Sequence, residues 1–213
     1  MTDLTRPASS QRSTPGPEPV RKIGLLLFDG VEELDAVGPW EVLSTWTQNH
    51  PEDGWDVFCL TRDGAPVRAA RNMTIGAHHS MSRAPAMDVL IHPGGPGTRP
   101  MLNDDAHLEW VRHQRLAIPL MVSVCSGALV YAAAGLLVGR RATTHWASLN
   151  LLSELDPTVV TEVDARFVDD GDLITSAGVS AGIDMALHLV ARFADLERAR
   201  EVRRDIQYSP PVL

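Results

Sequence analysis

Short apolar runs alternate with longer segments of helical spacing along most of this chain. Three early runs are predicted to be strands: Ile23 to Phe28, Trp55 to Leu60 and Asp88 to His92. They are nearly continuous in apolar residues, as expected for strands buried on both faces of a sheet. The alternation therefore predicts an α/β fold, with a doubly wound, mostly parallel sheet and helices on both faces.

The second half of the chain continues this pattern. Ile118 to Val124 is predicted to be a strand, and Ser126 to Gly135 a short helix with a left-handed glycine cap. The segments Ala165 to Val168 and Leu173 to Ser176 flank a turn and predict a hairpin. Four further helices are predicted at Leu102 to Leu116, Trp146 to Leu155, Ile183 to Phe193 and Leu196 to Ile206.

Two details of the helices follow from residue type and spacing. Pro39 is predicted to lie in the first turn of the helix after the first strand, where its missing N–H costs nothing. Leu108, Val111 and Leu116 are predicted to form the buried stripe of the helix Leu102 to Leu116.

Composition sets the domain organisation. The first twenty residues are rich in Ser, Thr, Pro and Gly and offer little apolar surface, so residues 1–20 are predicted to be a disordered tail. The remaining residues, 21–213, come from a chain that is 44% hydrophobic and are predicted to form a single domain.

The net charge and the absence of targeting signals limit the classes of binding partner and the cellular location that we expect. A net charge of −8 argues against nucleic-acid binding, and a small-molecule partner is predicted instead. We expect no DNA-binding helix pair, because the chain stops at Leu213. There is no signal-peptide apolar run and no stretch long enough to span a bilayer, so we predict a cytoplasmic protein without membrane contact.

Cys125 is the candidate nucleophile. It stands between an apolar strand and a helix start, and the small residues Ser126, Gly127 and Ala128 follow it. This context is typical of a nucleophile elbow, where N–H groups at the helix start lower a thiol pKa and bind a developing anion. The alternative is a buried structural cysteine, which is the interpretation we give to Cys59 inside its strand.

Three other segments carry candidate site residues. The acids Glu32, Glu33 and Asp35 follow the first strand, where Asp35 could meet Cys125 at the carboxyl ends of the strands; the alternative is solvated charge and a helix cap. Gly94 and Gly95 follow another strand, and their amides could form an oxyanion corner. His145 could serve as a base, although a random histidine is more often a surface or core residue.

These segments do not have the spacing of the common cofactor sites. The glycines match neither a phosphate-binding loop nor a dinucleotide fingerprint, so neither ATP nor NAD is expected and no cofactor is predicted. His78, His79 and His92 lack the spacing of a zinc site, and no metal is predicted.

Taken together, these motifs resemble the ThiJ/PfpI superfamily, and within it most of all the isonitrile hydratases. The resemblance covers roughly 22–211. It rests on five motifs: Phe28-Asp-Gly-Val-Glu-Glu-Leu-Asp35-Ala-Val-Gly-Pro39, Pro93-Gly-Gly-Pro-Gly97, Val124-Cys-Ser-Gly127, Ala134-Gly-Leu-Leu-Val-Gly-Arg-Arg-Ala-Thr-Thr-His-Trp146 and Ala181-Gly-Ile-Asp184.

The resemblance implies a flavodoxin-like sheet, a homodimer, and Cys125 as a nucleophile facing Asp35. It implies a lyase that hydrates isonitriles to N-substituted formamides through a thioimidate. Protease-type relatives have His directly after the cysteine, whereas Ser126 stands here, which argues against a peptidase. Ser126 retains the hydroxyl that hydratases usually carry as Thr.

Some features leave other functions open. Ser176 and Ala177 stand where hydratases tend to have glycines, and their Cβ atoms could restrict the following helix. His145 falls where glyoxalase and deglycase relatives carry a histidine, so chemistry on 2-oxoaldehydes is an alternative. A redox-sensing or ligand-binding module is another, because an elbow thiol can also report oxidation.

Overall fold

The computed structural model describes residues 19–209. The predicted tail at 1–20 falls almost entirely outside the described residues, and the division into a tail and one domain stays a prediction. The strands are β1 (Arg21–Leu26), β2 (Trp55–Thr61), β3 (Val67–Arg68), β4 (Thr74–Ile75), β5 (His79–Ser80), β6 (Val89–His92), β7 (Leu120–Val124), β8 (Arg141–Ala142), β9 (Val160–Thr161), β10 (Phe167–Asp169) and β11 (Leu173–Ser176).

Helices follow or connect most of the longer strands. The α-helices are α1 (Glu33–Asn49), α2 (Thr98–Met101), α3 (Asp105–Ala117), α4 (Gly127–Ala133), α5 (Leu149–Leu155), α6 (Ala181–Phe193) and α7 (Leu196–Asp205). Two 3₁₀ segments occur at Pro51–Asp53 and Trp146–Ser148. Among residues 19–209, no helix is both long and apolar enough to cross a membrane.

Seven strands form the central sheet, in the order β10-β11-β7-β6-β1-β2-β5. All neighbours pair in parallel except β10 and β11, which form the predicted antiparallel hairpin. The helix α1 packs against α6 and α7, and the helix α4 packs against α2, α3 and α5. The flavodoxin-like, mostly parallel α/β fold predicted from the sequence is confirmed.

The centre of the sheet is apolar on both faces. All five residues of β7 and all four of β6 are buried, which explains why these runs show no polar alternation. In the register of the sheet, Ile23 of β1 lies between Val57 of β2 and Val89 of β6. Burial of this kind is the main source of stability in a parallel sheet.

The start of α1 differs from the prediction. The helix begins at Glu33, so Pro39 lies inside it rather than in its first turn. Gly30, with φ +78°, turns the chain sharply after β1, and the helix starts within three residues of that turn. The Pro39 ring packs against Gly182 of α6, where an added Cβ would lie 3.3 Å from the ring Cγ. Close packing of two helices offsets the cost of a proline in a helix.

The predicted helix Leu102 to Leu116 corresponds to α3, which begins three residues later, at Asp105. The Asp104 carboxylate accepts a hydrogen bond from the His107 N–H at 3.0 Å and caps α3. Leu108 and Val111 are buried as predicted, but Leu116 is 86% exposed, so its assignment to the core was wrong. At 3.6 residues per turn, Leu116 lies about 140° around the helix from Val111 and faces solvent.

The remaining helices lie close to their predicted positions. α4 is followed by Gly135 with φ +79°, which confirms the left-handed cap. The predicted helix from Trp146 starts as a 3₁₀ segment and becomes α-helical at Leu149. The sheet and its loops thus place the ends of β1, β6 and β7 side by side, and the candidate site lies there.

Candidate active site

The candidate site lies at the carboxyl edge of three adjacent strands. Asp35 comes from α1 after β1, Gly94 and Gly95 come from the loop after β6, and Cys125 directly follows β7. Because parallel strands all end at the same edge, side chains far apart in sequence meet there. The structure thus brings the Asp35 carboxyl group and the Cys125 thiol together, and each shifts the pKa of the other.

Cys125 has the strained backbone of an elbow. Its φ is +57°, a left-handed value that few residues other than glycine adopt. The Cys125 N–H donates to the Ser176 carbonyl at 3.0 Å, and its own carbonyl accepts from the Thr144 hydroxyl at 2.7 Å. Hydrogen bonds on both sides of the residue hold this conformation in place.

The elbow requires a glycine opposite it. A Cβ on Gly94 would lie 2.5 Å from the Ser126 nitrogen and 2.8 Å from the Cys125 Cβ. Such distances are too short for real contacts, so the loop after β6 can approach the nucleophile only without a side chain at this position.

Asp35 is fully buried and is not a helix cap. One carboxylate oxygen accepts from the Gly94 N–H at 3.0 Å, and the other accepts from the Val179 N–H at 3.0 Å. Burial raises the pKa of Asp35 to about 7, although hydrogen bonds from Cys125, Val179 and Gly94 act in the opposite direction. A group with this pKa exchanges protons near neutral pH.

The Cys125 thiol differs from the low-pKa group expected at an elbow. Burial raises its pKa to about 12, and the adjacent Asp35 charge raises it further, whereas the N–H and hydroxyl of Ser126 lower it. The expectation of a lowered pKa was wrong because the sulfur is nearly enclosed and faces a carboxylate. A thiol with a pKa raised in this way carries its proton at neutral pH.

The amides of the glycine loop are already hydrogen-bonded. Gly94 donates to Asp35, and Gly95 donates to the Ser126 hydroxyl oxygen at 2.9 Å. The Thr98 hydroxyl lies 3.0 Å from the same oxygen. The Gly94 and Gly95 amides, which were expected to form an oxyanion corner, thus donate to side chains in this structure. The N–H and hydroxyl of Ser126 act on the sulfur by lowering its pKa.

His145 lies in the same cavity as Cys125 but is not bonded to it. Its Nδ1 accepts from the Ala147 N–H at 3.2 Å, and its ring lies against Gly178, where a Cβ would come within 2.2 Å of Cδ2. Among residues 19–209, no hydrogen bond joins His145 to the thiol. The ring is thus a wall of the cavity.

Ser176 and Ala177 support the elbow through their backbone. Both carbonyls accept from the Cys125 N–H, at 3.0 and 3.3 Å, and the Ser176 hydroxyl donates to the Ala177 carbonyl at 3.0 Å. Two residues later, Val179 has φ +56°, which is strained for a β-branched residue. No local sequence pattern points to Val179, since its partner Asp35 is 144 residues away.

The cavity above the thiol, here called the cysteine cavity, measures about 430 Å³. Its walls include Cys125, Ser126, His145, Val179, Glu32, Arg71, Arg99 and Ser148. A larger cavity of about 590 Å³ lies beside β2 and α3 and contains no cysteine. Within the part of the chain that the structure describes, no group of three or more His, Cys, Asp or Glu residues could hold a metal ion.

Comparison with known proteins places this geometry in a family. The sequence profile of the DJ-1/PfpI family matches residues 21–192. The chain belongs to the DJ-1/PfpI family. A DJ-1/PfpI-type crystal structure, of a ThiJ/PfpI family protein from Pseudomonas syringae, superposes with a TM-score of 0.82 at 28% identity, covering 95% of this chain and 85% of that chain.

Relatives within the DJ-1/PfpI family differ in function. The chain is 36% identical to an isonitrile hydratase from Pseudomonas putida, over 89% of this chain and 79% of that protein. It is also 30% identical to the HTH-type transcriptional regulator GbdR from Pseudomonas aeruginosa, over 85% of this chain but 48% of that protein. Membership of the family therefore does not by itself determine the reaction of this protein.

Proposed function

We propose that this protein is an isonitrile hydratase, a lyase that converts isonitriles to N-substituted formamides with Cys125 as nucleophile and without a cofactor. The observation that carries the proposal is the buried Asp35 carboxyl group beside Cys125, whose side chain lines the cysteine cavity. Similarity to the Pseudomonas putida isonitrile hydratase supports this choice of substrate.

The first step forms a bond between sulfur and carbon. Asp35 accepts the thiol proton as Cys125 attacks the terminal carbon of R–N≡C, and then gives that proton to the same carbon. The product is a thioimidate, R–N=CH–S–Cys125. Ser126 assists because its N–H and hydroxyl stabilise the thiolate as it forms.

The second step consumes one water molecule. Asp35 takes a proton from the water as the water oxygen attacks the thioimidate carbon, and passes that proton to the substrate nitrogen. The carbon–sulfur bond then breaks, the remaining hydroxyl proton returns to sulfur, and R–NH–CHO leaves. The sum is one isonitrile and one water giving one formamide, with no net redox change.

A second candidate is glyoxalase or deglycase chemistry on 2-oxoaldehydes. The observation that favours it is the presence of His145 and Cys125 in one cavity, where the histidine could move a proton on a thiol adduct. A redox sensor fits less well, because a thiol with a pKa of about 12 holds little of the thiolate that oxidants attack.

Turnover of a simple neutral isonitrile tests the proposal. Purified protein with cyclohexyl isonitrile should yield N-cyclohexylformamide, and Cys125→Ala should abolish this. Cys59→Ala is the matched control, because Cys59 is also buried with a pKa raised to about 12 but lies in β2, and burial alone raises that pKa. Absence of formamide in the wild type, or equal rates in Cys125→Ala, would refute the proposal.

The second candidate has its own assay. Lactate formation from methylglyoxal that is lost in both Cys125→Ala and His145→Gln would favour the glyoxalase reaction. Isonitrile turnover that survives in His145→Gln would favour the hydratase.

We further propose a cytoplasmic homodimer that acts on a small molecule and binds neither nucleic acid nor membrane. The resemblance of the motifs supports the dimer, and the net charge of −8 supports the absence of nucleic acid. Light scattering should give twice the 23.2 kDa mass of the chain; the monomer mass would contradict the dimer.

A further inference from the structure

Two arginine side chains line the cysteine cavity, and they differ in their partners. The Nε of Arg71 lies 3.8 Å from a Glu32 carboxylate oxygen, and the Arg71 side chain is 79% exposed. Arg99 instead donates from Nη2 to the Ser148 hydroxyl at 3.2 Å. Across residues 19–209 Arg99 forms no ion pair, and its exposed side chain lines the same cavity as Glu32.

The acids near Arg99 are already occupied. Glu32 lies beside Arg71 at the cavity wall, and Asp35 lies below the thiol, where Gly94 and Val179 bond to its two oxygens. The chain as a whole carries 27 acidic residues and 19 lysines and arginines. Arg99 thus places a positive charge, without an ion-pair partner among the residues that the structure describes, in the cysteine cavity of a protein whose net charge is negative.

The position of Arg99 also suits recognition of an anion. Arg99 lies on α2, and its guanidinium crosses to Ser148, which is buried at the end of the 3₁₀ segment Trp146–Ser148. This bond fixes the side chain and uses one of five N–H donors. The remaining donors can pair with a planar carboxylate through two parallel hydrogen bonds.

We infer that the substrate is an isonitrile carrying a carboxylate, which Arg99 binds while the isonitrile carbon reaches Cys125. This inference rests on the proposed hydratase function. Hydration of such a substrate gives an N-formyl amino acid by the same bond changes as above. The cavity of about 430 Å³ accommodates a small molecule with both groups.

The test compares isocyanoacetate with its methyl ester, which share the isonitrile and differ in charge. Wild type should prefer the acid in kcat/KM. Arg99→Gln should lower the acid-to-ester ratio of kcat/KM by roughly ten- to a hundred-fold, as expected for loss of a hydrogen bond to a charged group. Arg99→Lys should restore part of the ratio, because charge is kept and the planar fork is lost.

Two controls separate charge from structure. Arg83→Gln removes the same charge from an exposed residue outside the cysteine cavity and should leave the ratio unchanged. Ser148→Ala removes the anchor but keeps the guanidinium, and should change the ratio less than Arg99→Gln does. An unchanged ratio in Arg99→Gln, or equal changes in Arg99→Gln and Ser148→Ala, overturns the inference.

Failure of the proposed function gives a different result. If neither isonitrile is converted, the hydratase proposal fails, and calorimetry on Cys125→Ala with N-formylglycine and N-methylformamide decides the anion site. Binding of N-formylglycine alone, lost when Arg99→Gln is added, supports a carboxylate site. Equal binding of both compounds, or of neither, overturns it.

Discussion

Asp35 is a buried carboxyl group that ionises close to neutral pH. Burial raises its pKa to about 7, and its partner Cys125 holds its own proton until pH values near 12. In the proposed mechanism the reaction starts when ionised Asp35 accepts the thiol proton. The active form therefore appears as pH rises through 7.

We expect kcat/KM for a neutral isonitrile to rise about tenfold per pH unit below 7 and to level off above it. A pH–rate profile from 5 to 9 measures this. Asp35→Asn should lose most of its activity, because the amide cannot accept the proton. The rise of kcat/KM with pH below 7 should disappear with it. A flat profile in the wild type, or a rise that Asp35→Asn keeps, would argue against Asp35 as the base.

Residue-scale chemistry was only partly predictable from the sequence. The strand before Cys125 and the small residues after it predicted the elbow, and the position of Asp35 after β1 predicted contact at one sheet edge. The direction of the thiol pKa was not predictable. It depends on enclosure of the sulfur and on a carboxylate 90 positions earlier in the chain, and neither is a local property.

At the scale of elements, α3 offers a matched pair of leucines. Leu108 is buried and Leu116 is 86% exposed on the same helix. Leu108→Ala should lower the free energy of unfolding by about 3 kcal/mol, whereas Leu116→Ala should change it by less than about 0.5 kcal/mol. Urea titration followed by circular dichroism measures both, and equal losses would contradict the orientation of α3.

The loop after β6 makes a second prediction. Gly94→Ala places a Cβ against the backbone of Ser126, so we expect a loss of about 3 kcal/mol in unfolding free energy and a large loss of kcat. Gly76→Ala is the control, because an added Cβ there meets no atom within 4 Å. Equal activity in the two variants would show that the loop does not approach the elbow as described.

Element boundaries were harder to predict than the elements themselves. The buried strands and the hairpin follow from apolar runs and turn residues, which are local signals. Pro39 was misplaced because its position in α1 depends on packing against Gly182 of α6, 143 residues later. The start of α3 depends on the cap at Asp104, which competes with the helical spacing that continues back to Leu102.

At the scale of the whole molecule, the α/β class was predictable but the strand order was not, since pairing of β7 with β11 is a long-range choice.

Asp35 also makes the free energy of unfolding of the whole molecule depend on pH. Its pKa is 3.8 in a model compound and about 7 when folded, so the folded state binds more protons between these values. Its contribution is fully present below pH 4 and is lost as pH rises through 7.

The free energy of unfolding of the wild type, relative to Asp35→Asn, should therefore fall by about 4 kcal/mol between pH 4 and pH 8. Denaturant titrations of both proteins across this range give the difference. Comparison with the variant matters because buried His92, whose pKa falls to about 3, also changes charge in acid. If the difference in unfolding free energy between the wild type and Asp35→Asn does not change with pH, the pKa of Asp35 is not raised as described.

The two hydrogen bonds to Asp35 span most of the chain, since Gly94 is 59 residues away and Val179 is 144 residues away. No fragment that lacks α1, the loop after β6 or the segment before α6 can assemble this carboxylate. If Asp35 acts as proposed, a refolding chain regains turnover only after its first helix has met its last third. After dilution from denaturant, activity should then return later than the helical circular dichroism signal, because it requires the complete tertiary structure.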